Sequence, residues 1–112
     1  MNAPSFGITH CHSEYAQTVY LAGEIDYAAS IELSPRLDDI LEECPSELLF
    51  DLGRVEFIDS EGIKILIRAF VHMRNKGGQA RIVNYSDRVR RTVELAGVQS
   101  VFDASPVAPA LS

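Results

Sequence analysis

The feature that most restricts the fold of this chain is an almost uninterrupted apolar segment at residues 48–52, near its centre. A strand with one face in water alternates apolar and polar side chains, whereas a strand with both faces covered is apolar almost throughout. In this segment only Asp51 is polar. We therefore expect it to be the middle strand of a sheet that helices or loops cover.

The segments on either side predict the other elements. Residues 6–12 and 18–23 are short β-type runs joined by a hairpin connection at residues 13–16, so they are expected to pair antiparallel. Residues 80–84 form a further β-type run, and residues 101–102 are expected to add a brief strand or turn. Three helices are indicated by apolar residues at helical spacing: Leu33, Leu37, Ile40, Leu41 and Cys44; Ile63, Leu66, Ile67, Phe70 and Met73; Val89, Val93 and Ala96.

This order of elements predicts an α/β fold with a mixed sheet of four to five strands and covering helices. Strands separated by a helix are expected to pair parallel, with right-handed crossovers. The chain has 112 residues, which is enough to form one hydrophobic core. We expect a single domain over residues 1–105, followed by a flexible C-terminal tail at residues 106–112.

Two details of the backbone are predicted from local sequence. Because proline is tolerated in the first turn of a helix but not later, Ser34 is expected to cap the first helix and Pro35 to open it. Residues 27–32 would then form a separate turn. Residues 54–57 are expected to form a loop leading to a second helix, which begins at residues 59–62 and ends at the two glycines 77 and 78.

The charge of the chain argues against nucleic-acid binding. Its net charge of −6 disfavours contact with a phosphate backbone. Arg88, Arg90 and Arg91 form a basic patch without interleaved aromatic residues, and nearby Asp87 and Glu94 favour a solvated, ion-paired helix face. Residues 24–43 hold seven acidic residues and one arginine, whereas residues 64–91 hold eight basic residues and one aspartate. The two halves are therefore expected to face partners of opposite charge.

The sequence shows no signs of secretion, membrane insertion, metal binding or catalysis. No signal segment or membrane span is recognisable, so we expect a cytoplasmic protein without a membrane partner. Cys11 and Cys44 are expected to be reduced, buried thiols. His10 and His12 would share one face of a strand, but a solvent-facing or core pair is favoured over a metal site because no further ligands are evident. No phosphate loop or catalytic motif is present, so we expect neither a cofactor nor enzymatic activity.

The residues at the predicted start of the second helix are chemically the most informative. Physical principles alone favour a structural role for them, because Asp59 or Ser60 would cap free backbone N–H groups and Glu61 would suit the positive end of the helix dipole. Further along this helix, Ile65 falls among the polar positions. It is either covered by another part of the fold or exposed to a partner, and we favour the partner.

This region resembles a known signature. Residues 50–63, FDLGRVEFIDSEGI, are similar to the signature of STAS domains of the anti-sigma factor antagonist family, and residues 23–26, GEID, resemble a second element of that family. The similarity continues through residues 77–78, 81–83 and 95–98 and so covers nearly the whole chain in the same order. The resemblance implies a single STAS-like domain.

The resemblance also implies a regulatory role. Members of the family bind an anti-sigma factor that is also a serine kinase, free the sigma factor, and are inactivated when the kinase phosphorylates the serine after the motif aspartate. By position that serine is Ser60, and a serine phosphatase is a further expected partner. Together with Ile65 from the helical pattern, the expected partner-binding residues are Asp26, Asp59, Ser60, Glu61, Gly62 and Lys64.

Two residues depart from the family pattern, and two other functions stay open. Glu61 stands where the family usually has serine or threonine, and Lys64 where it usually has glycine. The two are close enough to pair, and they bear on which kinase is recognised.

The first alternative function is a STAS scaffold or transporter-associated subunit that is never phosphorylated. The second, a small hydrolase or nucleotide binder using Ser60 or the histidines, ranks last because no base, oxyanion donors or phosphate loop support it.

Overall fold

The computed structural model describes residues 6–103, which form a mixed four-stranded sheet and four helices. The strands are β1 (Phe6–His12), β2 (Ala16–Ile25), β3 (Glu47–Ile58) and β4 (Gln79–Tyr85), and the helices are α1 (Tyr27–Glu43), α2 (Ser60–Asn75), α3 (Asp87–Ala96) and α4 (Gln99–Asp103). The sheet order is β1-β2-β3-β4, with β1 antiparallel to β2 and the other pairs parallel. The predicted α/β class and mixed sheet are confirmed. Residues 101–102 lie in α4 and add no strand, and the expected domain boundary and tail lie outside the described residues.

Strand β3 is the middle of the sheet, as its apolar segment predicts. Leu48 and Phe50 are fully buried. They face the helices, where the ring of Phe50 stacks on that of Phe70 in α2 at a centroid distance of 6.2 Å. On the opposite face of the strand Leu49 and Asp51 are only half-buried. The helices therefore cover one face of the sheet fully, and the other face is only partly covered.

The prediction of a loop at residues 54–57 is wrong, because β3 continues without interruption to Ile58. In this part it pairs with the end of β2, where Val55 lies opposite Gly23 and Ile58 opposite Ile25. Two register shifts between β2 and β3 change the alternation, so that Val55 and Ile58 are both buried. Val55 and Ile58 are three residues apart, whereas side chains on one face of a regular strand recur every two residues. The sequence pattern therefore indicated a loop.

Helix α1 is one helix of 17 residues, so the prediction that Pro35 opens it is also wrong. Its N-cap is Asp26, whose carboxylate accepts a hydrogen bond from the Ala29 backbone N–H at 2.9 Å. Pro35 cannot donate the helical hydrogen bond to Ile31, but both residues are exposed, so water can bind the free carbonyl. The cost of the proline is offset by the buried apolar face of α1, formed by Ala29, Leu33, Leu37, Ile40 and Leu41.

Helix α2 begins at Ser60 as predicted, and it packs beside α1. Nη2 of Arg68 in α2 lies 2.9 Å from Oδ1 of Asp38 in α1, which identifies the side of α2 that α1 lies against. Ile65, three residues before Arg68, is 5% exposed and belongs to the core. The expectation that Ile65 is available to a partner is therefore wrong, because the neighbouring helix covers this side of α2.

The last part of the described chain follows the prediction at its helix ends. Ser86 caps α3, and Gly97 ends it with a φ of 73°, which glycine adopts without strain. The expected ion pairs on α3 to Asp87 or Glu94 do not form within residues 6–103. Instead, the guanidinium of Arg90 lies 5.4 Å from the ring centroid of Tyr85. Among the described helices, none combines the length and hydropathy that crossing a bilayer requires.

Candidate functional site

Two strand-to-helix junctions lie side by side at one end of the sheet. Strands β2 and β3 are parallel neighbours, and their last residues, Ile25 and Ile58, are paired. Each strand is followed by an aspartate that caps a helix: Asp26 caps α1 and Asp59 caps α2. The N-termini of both helices therefore meet at the same edge, which is where the sequence motifs GEID and IDSEG lie.

Asp59 connects the two junctions. Its Oδ1 accepts hydrogen bonds from the backbone N–H groups of Glu61 and Gly62, at 3.0 and 3.1 Å, within α2. Its Oδ2 accepts a hydrogen bond from the backbone N–H of Tyr27, at 3.2 Å, at the start of α1. Its own backbone N–H donates to the carbonyl of Ile25 at 3.3 Å. One carboxylate thus satisfies free donors of both helices and fixes their relative position.

Gly62 permits the close approach of α2 to strand β2. A Cβ atom at this position would lie 2.5 Å from the carbonyl oxygen of Ile25 and 2.7 Å from Cγ1 of Ile58. Both distances are far below van der Waals contact, so a side chain would force the helix away from the sheet. Gly62 is buried. Its expected part in partner binding can therefore only be indirect, through the position of the residues around it.

Ser60 is exposed at this junction. It is the first residue of α2, and its hydroxyl makes no hydrogen bond within the described part of the chain. The neighbouring N–H groups of Glu61 and Gly62 already bind Asp59. The Ser60 hydroxyl is therefore free to react with or contact another protein.

The predicted pair of Glu61 and Lys64 is confirmed. Nζ of Lys64 lies 3.3 Å from Oε2 of Glu61 on the surface of α2, with the lysine side chain 70% exposed. An exposed pair of this kind contributes little to stability, of the order of 0.3–0.5 kcal/mol. Its consequence is local: the charge of Glu61 beside Ser60 is partly balanced by Lys64.

The structure thus brings together most of the residues that the sequence indicated. Asp26, Asp59, Ser60, Glu61 and Lys64 lie around the paired helix N-termini, whereas Ile65 is buried below them. Sequence reasoning missed Tyr27 and Ile31, two strongly exposed apolar residues at the start of α1. Their signal was present as two large apolar residues four positions apart that do not match the period of the buried face.

Outside this junction, the described residues include a pair of histidines and several cavities. Residues 6–103 hold no group of three or more histidine, cysteine, aspartate or glutamate side chains arranged for a metal ion. His10 and His12 contact the buried side chain of Gln17, at 2.8 and 3.5 Å. Of the two cysteines expected to be buried, Cys44 is buried, whereas Cys11, between these histidines, is exposed. Two cavities of about 470 and 670 Å³ share Ala22 and Arg54 in their walls, and neither is lined by Ser60.

The fold and this site define a class of small α/β domains that present a free serine beside paired helix N-termini. The family model of the STAS domain matches residues 12–112, and the chain therefore belongs to the STAS domain family. It is similar to the anti-sigma-F factor antagonist RsfB of Mycobacterium tuberculosis, with 29% identity over 106 residues, covering 91% of this chain and 84% of that protein.

Two further comparisons also match this chain to anti-sigma factor antagonists. The anti-sigma-B factor antagonist of Bacillus subtilis is 29% identical over 87 residues, which cover 78% of this chain and 79% of that protein. The crystal structure of an anti-sigma factor antagonist from Mycobacterium paratuberculosis matches with a TM-score of 0.78 and 28% identity, over 99% of this chain and 92% of that one. The resemblance to STAS domains of anti-sigma factor antagonists is therefore confirmed.

Proposed function

We propose that this chain is an anti-sigma factor antagonist that binds a serine-kinase anti-sigma factor, and that phosphorylation of Ser60 by this kinase ends the binding. The single observation that carries the proposal is the free, exposed hydroxyl of Ser60 at the start of α2. Of the other described serines, Ser13, Ser30 and Ser86 donate their hydroxyls to backbone carbonyls. Ser46 is also exposed, but it lies at the far end of the sheet from the paired helix N-termini. The relatives named as anti-sigma factor antagonists support the same function.

The fold is expected to survive phosphorylation. A phosphate adds a charge of about −1.5 to −2, which the positive end of a helix dipole favours. The N–H groups of Glu61 and Gly62 are occupied by Asp59, so the phosphate would remain hydrated at the surface without displacing the cap. The effect of the modification must therefore arise when a partner covers the site.

A covering partner would have to remove water from the phosphate. Asp59 and Glu61 flank Ser60, so the dianion would be buried next to other negative groups unless the partner supplied new cations. A charge left poorly paired in an interface costs several kcal/mol. Because each ~1.4 kcal/mol changes affinity tenfold, this is enough to separate the partners.

The chemistry of this proposal belongs to the partners. The kinase supplies ATP and the catalytic groups, and this chain supplies only the accepting hydroxyl, so it acts without a cofactor and is not itself an enzyme. A serine phosphatase would restore the binding form. We place the cycle in the cytoplasm, where ATP and the transcription machinery are located.

Mass measurement tests the proposal directly. With the kinase anti-sigma factor and ATP, we expect the intact mass of the wild type to rise by one phosphate and that of Ser60→Ala to remain unchanged. Ser46→Ala is the matched control, because Ser46 is exposed just before β3, at the far end of the sheet. It should be phosphorylated like the wild type. Phosphate incorporated at another residue would contradict the proposal.

Binding of Ser60→Asp separates this function from that of a constitutive scaffold. We expect its affinity for the anti-sigma factor to be at least about tenfold weaker than that of the wild type, which corresponds to ~1.4 kcal/mol. Isothermal titration calorimetry with both proteins gives the ratio. An unchanged affinity would favour the scaffold or transporter-associated alternative.

A further inference from the structure

Helix α1 carries two large apolar side chains on its surface near the start of α2. Tyr27 is 62% exposed and Ile31 is 60% exposed. They are four residues apart, which is about one helical turn, so they form one stripe on the helix; we call these two residues the α1 stripe. The buried face of α1 points elsewhere, since it is formed by Ala29, Leu33, Leu37, Ile40 and Leu41. The stripe is thus not part of the core.

The α1 stripe borders helix α2. Asp38 follows Ile31 by seven residues, about two turns, and therefore points in nearly the same direction. Oδ1 of Asp38 lies 2.9 Å from Nη2 of Arg68 in α2, so this direction is the one that faces α2. Tyr27 and Ile31 consequently line one side of the groove between the two helices. Exposed Lys64, one turn before Arg68, lies on the other side.

The α1 stripe is also held in place relative to Ser60. The backbone N–H of Tyr27 donates to Oδ2 of Asp59, at 3.2 Å, and Asp59 directly precedes Ser60. The Asp59 carboxylate therefore fixes the position of the stripe relative to Ser60. A protein that reaches Ser60 with a surface of ordinary size would also cover the α1 stripe.

The charge of helix α1, which carries the stripe at its start, is negative and largely uncompensated. Helix α1 contains five acidic residues and one arginine. Within the described part of the chain only Asp38 among these acids forms an ion pair. The other four, Glu32, Asp39, Glu42 and Glu43, are exposed. Asp39 and Glu43 lie beside His10 and His12, so the acidic surface extends from the stripe along α1 away from Ser60, and it is complementary to a basic protein surface.

We propose that the α1 stripe is the apolar anchor by which this chain docks on its anti-sigma factor, and that the partner presents an apolar recess to the stripe and basic side chains to the acidic residues further along α1, away from Ser60. This inference rests on the proposed function, because it names the surface that the partner of Ser60 contacts. Tyrosine is among the residues that most often dominate the energy of protein interfaces, and an adjacent isoleucine extends the area removed from water.

The negative charge of α1 and the phosphate on Ser60 affect different stages of binding. The acidic residues of α1 attract a basic partner before contact, which raises the association rate at low salt. The phosphate acts after contact, when its water must be removed. We therefore expect substitutions in the stripe to weaken binding of the unphosphorylated protein, in which Ser60 carries no phosphate.

The test compares two tyrosines at opposite ends of the sheet. Tyr27→Ala and Ile31→Ala are titrated with the purified anti-sigma factor in the absence of ATP, beside the wild type. Tyr15→Ala is the matched control, because Tyr15 is 71% exposed in the turn before β2, whereas Tyr27 follows the end of that strand. Circular dichroism and the melting temperature establish that each variant is folded, as expected for exposed positions.

We expect Tyr27→Ala to weaken binding by about 10- to 30-fold and Ile31→Ala by at least about fivefold, with Tyr15→Ala within about twofold of the wild type. We also expect the association rate of the wild type to fall as salt rises. Folded Tyr27→Ala and Ile31→Ala proteins that bind like the wild type would overturn the inference, and so would an association rate that rises with salt. A wild-type protein that binds no anti-sigma factor would overturn the proposed function itself.

Discussion

At the scale of single residues, the motif around Ser60 combines positions that hold the junction together with positions that face outward. Asp59 is bound to three backbone N–H groups and Gly62 lies against strand β2, so both serve the fold. Ser60 and Lys64 are exposed. The sequence signature therefore combines positions that the fold requires with positions exposed at the surface, and mutations at the two kinds of position should have different effects.

Gly62→Ala tests the structural part of the motif. The added methyl group would meet the Ile25 carbonyl, so we expect the free energy of unfolding to fall by about 1–3 kcal/mol, measured by urea denaturation. Gly7→Ala is the matched control, because no atom lies within 4 Å of the Cβ that it would add. It should be neutral or stabilising by roughly 0.5 kcal/mol, as alanine is favoured over glycine in a strand. Equal effects of the two substitutions would contradict this account of Gly62.

Single-residue roles were predictable from the sequence only where the chemistry is local. A helix cap at Asp59 or Ser60 follows from residue type and position, because capping involves neighbours within three residues, and the cap in the structure is Asp59. The expected role of Ser60 as a phosphate acceptor rests on the family resemblance and not on its residue type. The bond from Tyr27 to Asp59 was not predictable, since it spans 32 residues and depends on the register of two strands. The exposure of Tyr27 and Ile31 and the burial of Ile65 likewise depend on where a neighbouring helix packs.

At the scale of elements, the errors of prediction share one cause, which is that tertiary contacts outweigh local preference. The sequence pattern predicts a helix start at Pro35. Helix α1 nevertheless continues through this residue, because five apolar side chains of the helix are buried. Residues 54–57 read as a loop, yet they form a strand because β2 offers a parallel partner. Local rules apply to isolated segments, and these two segments are not isolated in the fold.

The position of Pro35 leads to a prediction about α1. In Pro35→Ala the helix regains a backbone donor for the carbonyl of Ile31 and loses the steric conflict of the proline ring, so we expect the protein to gain about 1–3 kcal/mol of stability. Thermal unfolding followed by circular dichroism measures the gain. Arg36→Ala, at the next exposed position, should change stability little. A lower melting temperature for Pro35→Ala would show that the proline is accommodated without cost.

At the scale of the whole molecule, the order of the elements and the topology of the sheet followed from the sequence. The continuous apolar segment identified β3 as the centre, and the alternation of strands and helices required parallel pairing. The number of strands was left at four to five because residues 101–102 are too short for periodicity to distinguish a strand from the short helix α4. Global topology was thus better predicted than the ends of its elements.

Global stability should depend on pH through Cys44. Burial raises the pKa of the Cys44 thiol, although the charge of Lys76 opposes this shift. Near neutral pH the thiol is protonated in both the folded and the unfolded states. Above about pH 8.5 the unfolded chain releases this proton while the folded protein retains it, so stability is lost as pH rises through this range. In Cys44→Ala this loss is absent.

Urea unfolding of both proteins between pH 7 and pH 10 measures the effect. The wild type should be the more stable at pH 7, because the substitution removes a buried side chain, and the difference should narrow as pH rises. A difference that stays constant over this range would show that the thiol does not contribute to the pH dependence.

The double role of the Asp59 carboxylate has a consequence for how such domains diversify. Since one side chain anchors the beginnings of two helices, any exchange there loosens both at once, and selection has little freedom at that point. Under the proposed function, a change of partner would then require substitutions only at the outward residues 27, 31, 61 and 64, while Asp59 is kept. Related domains with the same fold would thereby avoid binding one another's partners through a few surface substitutions.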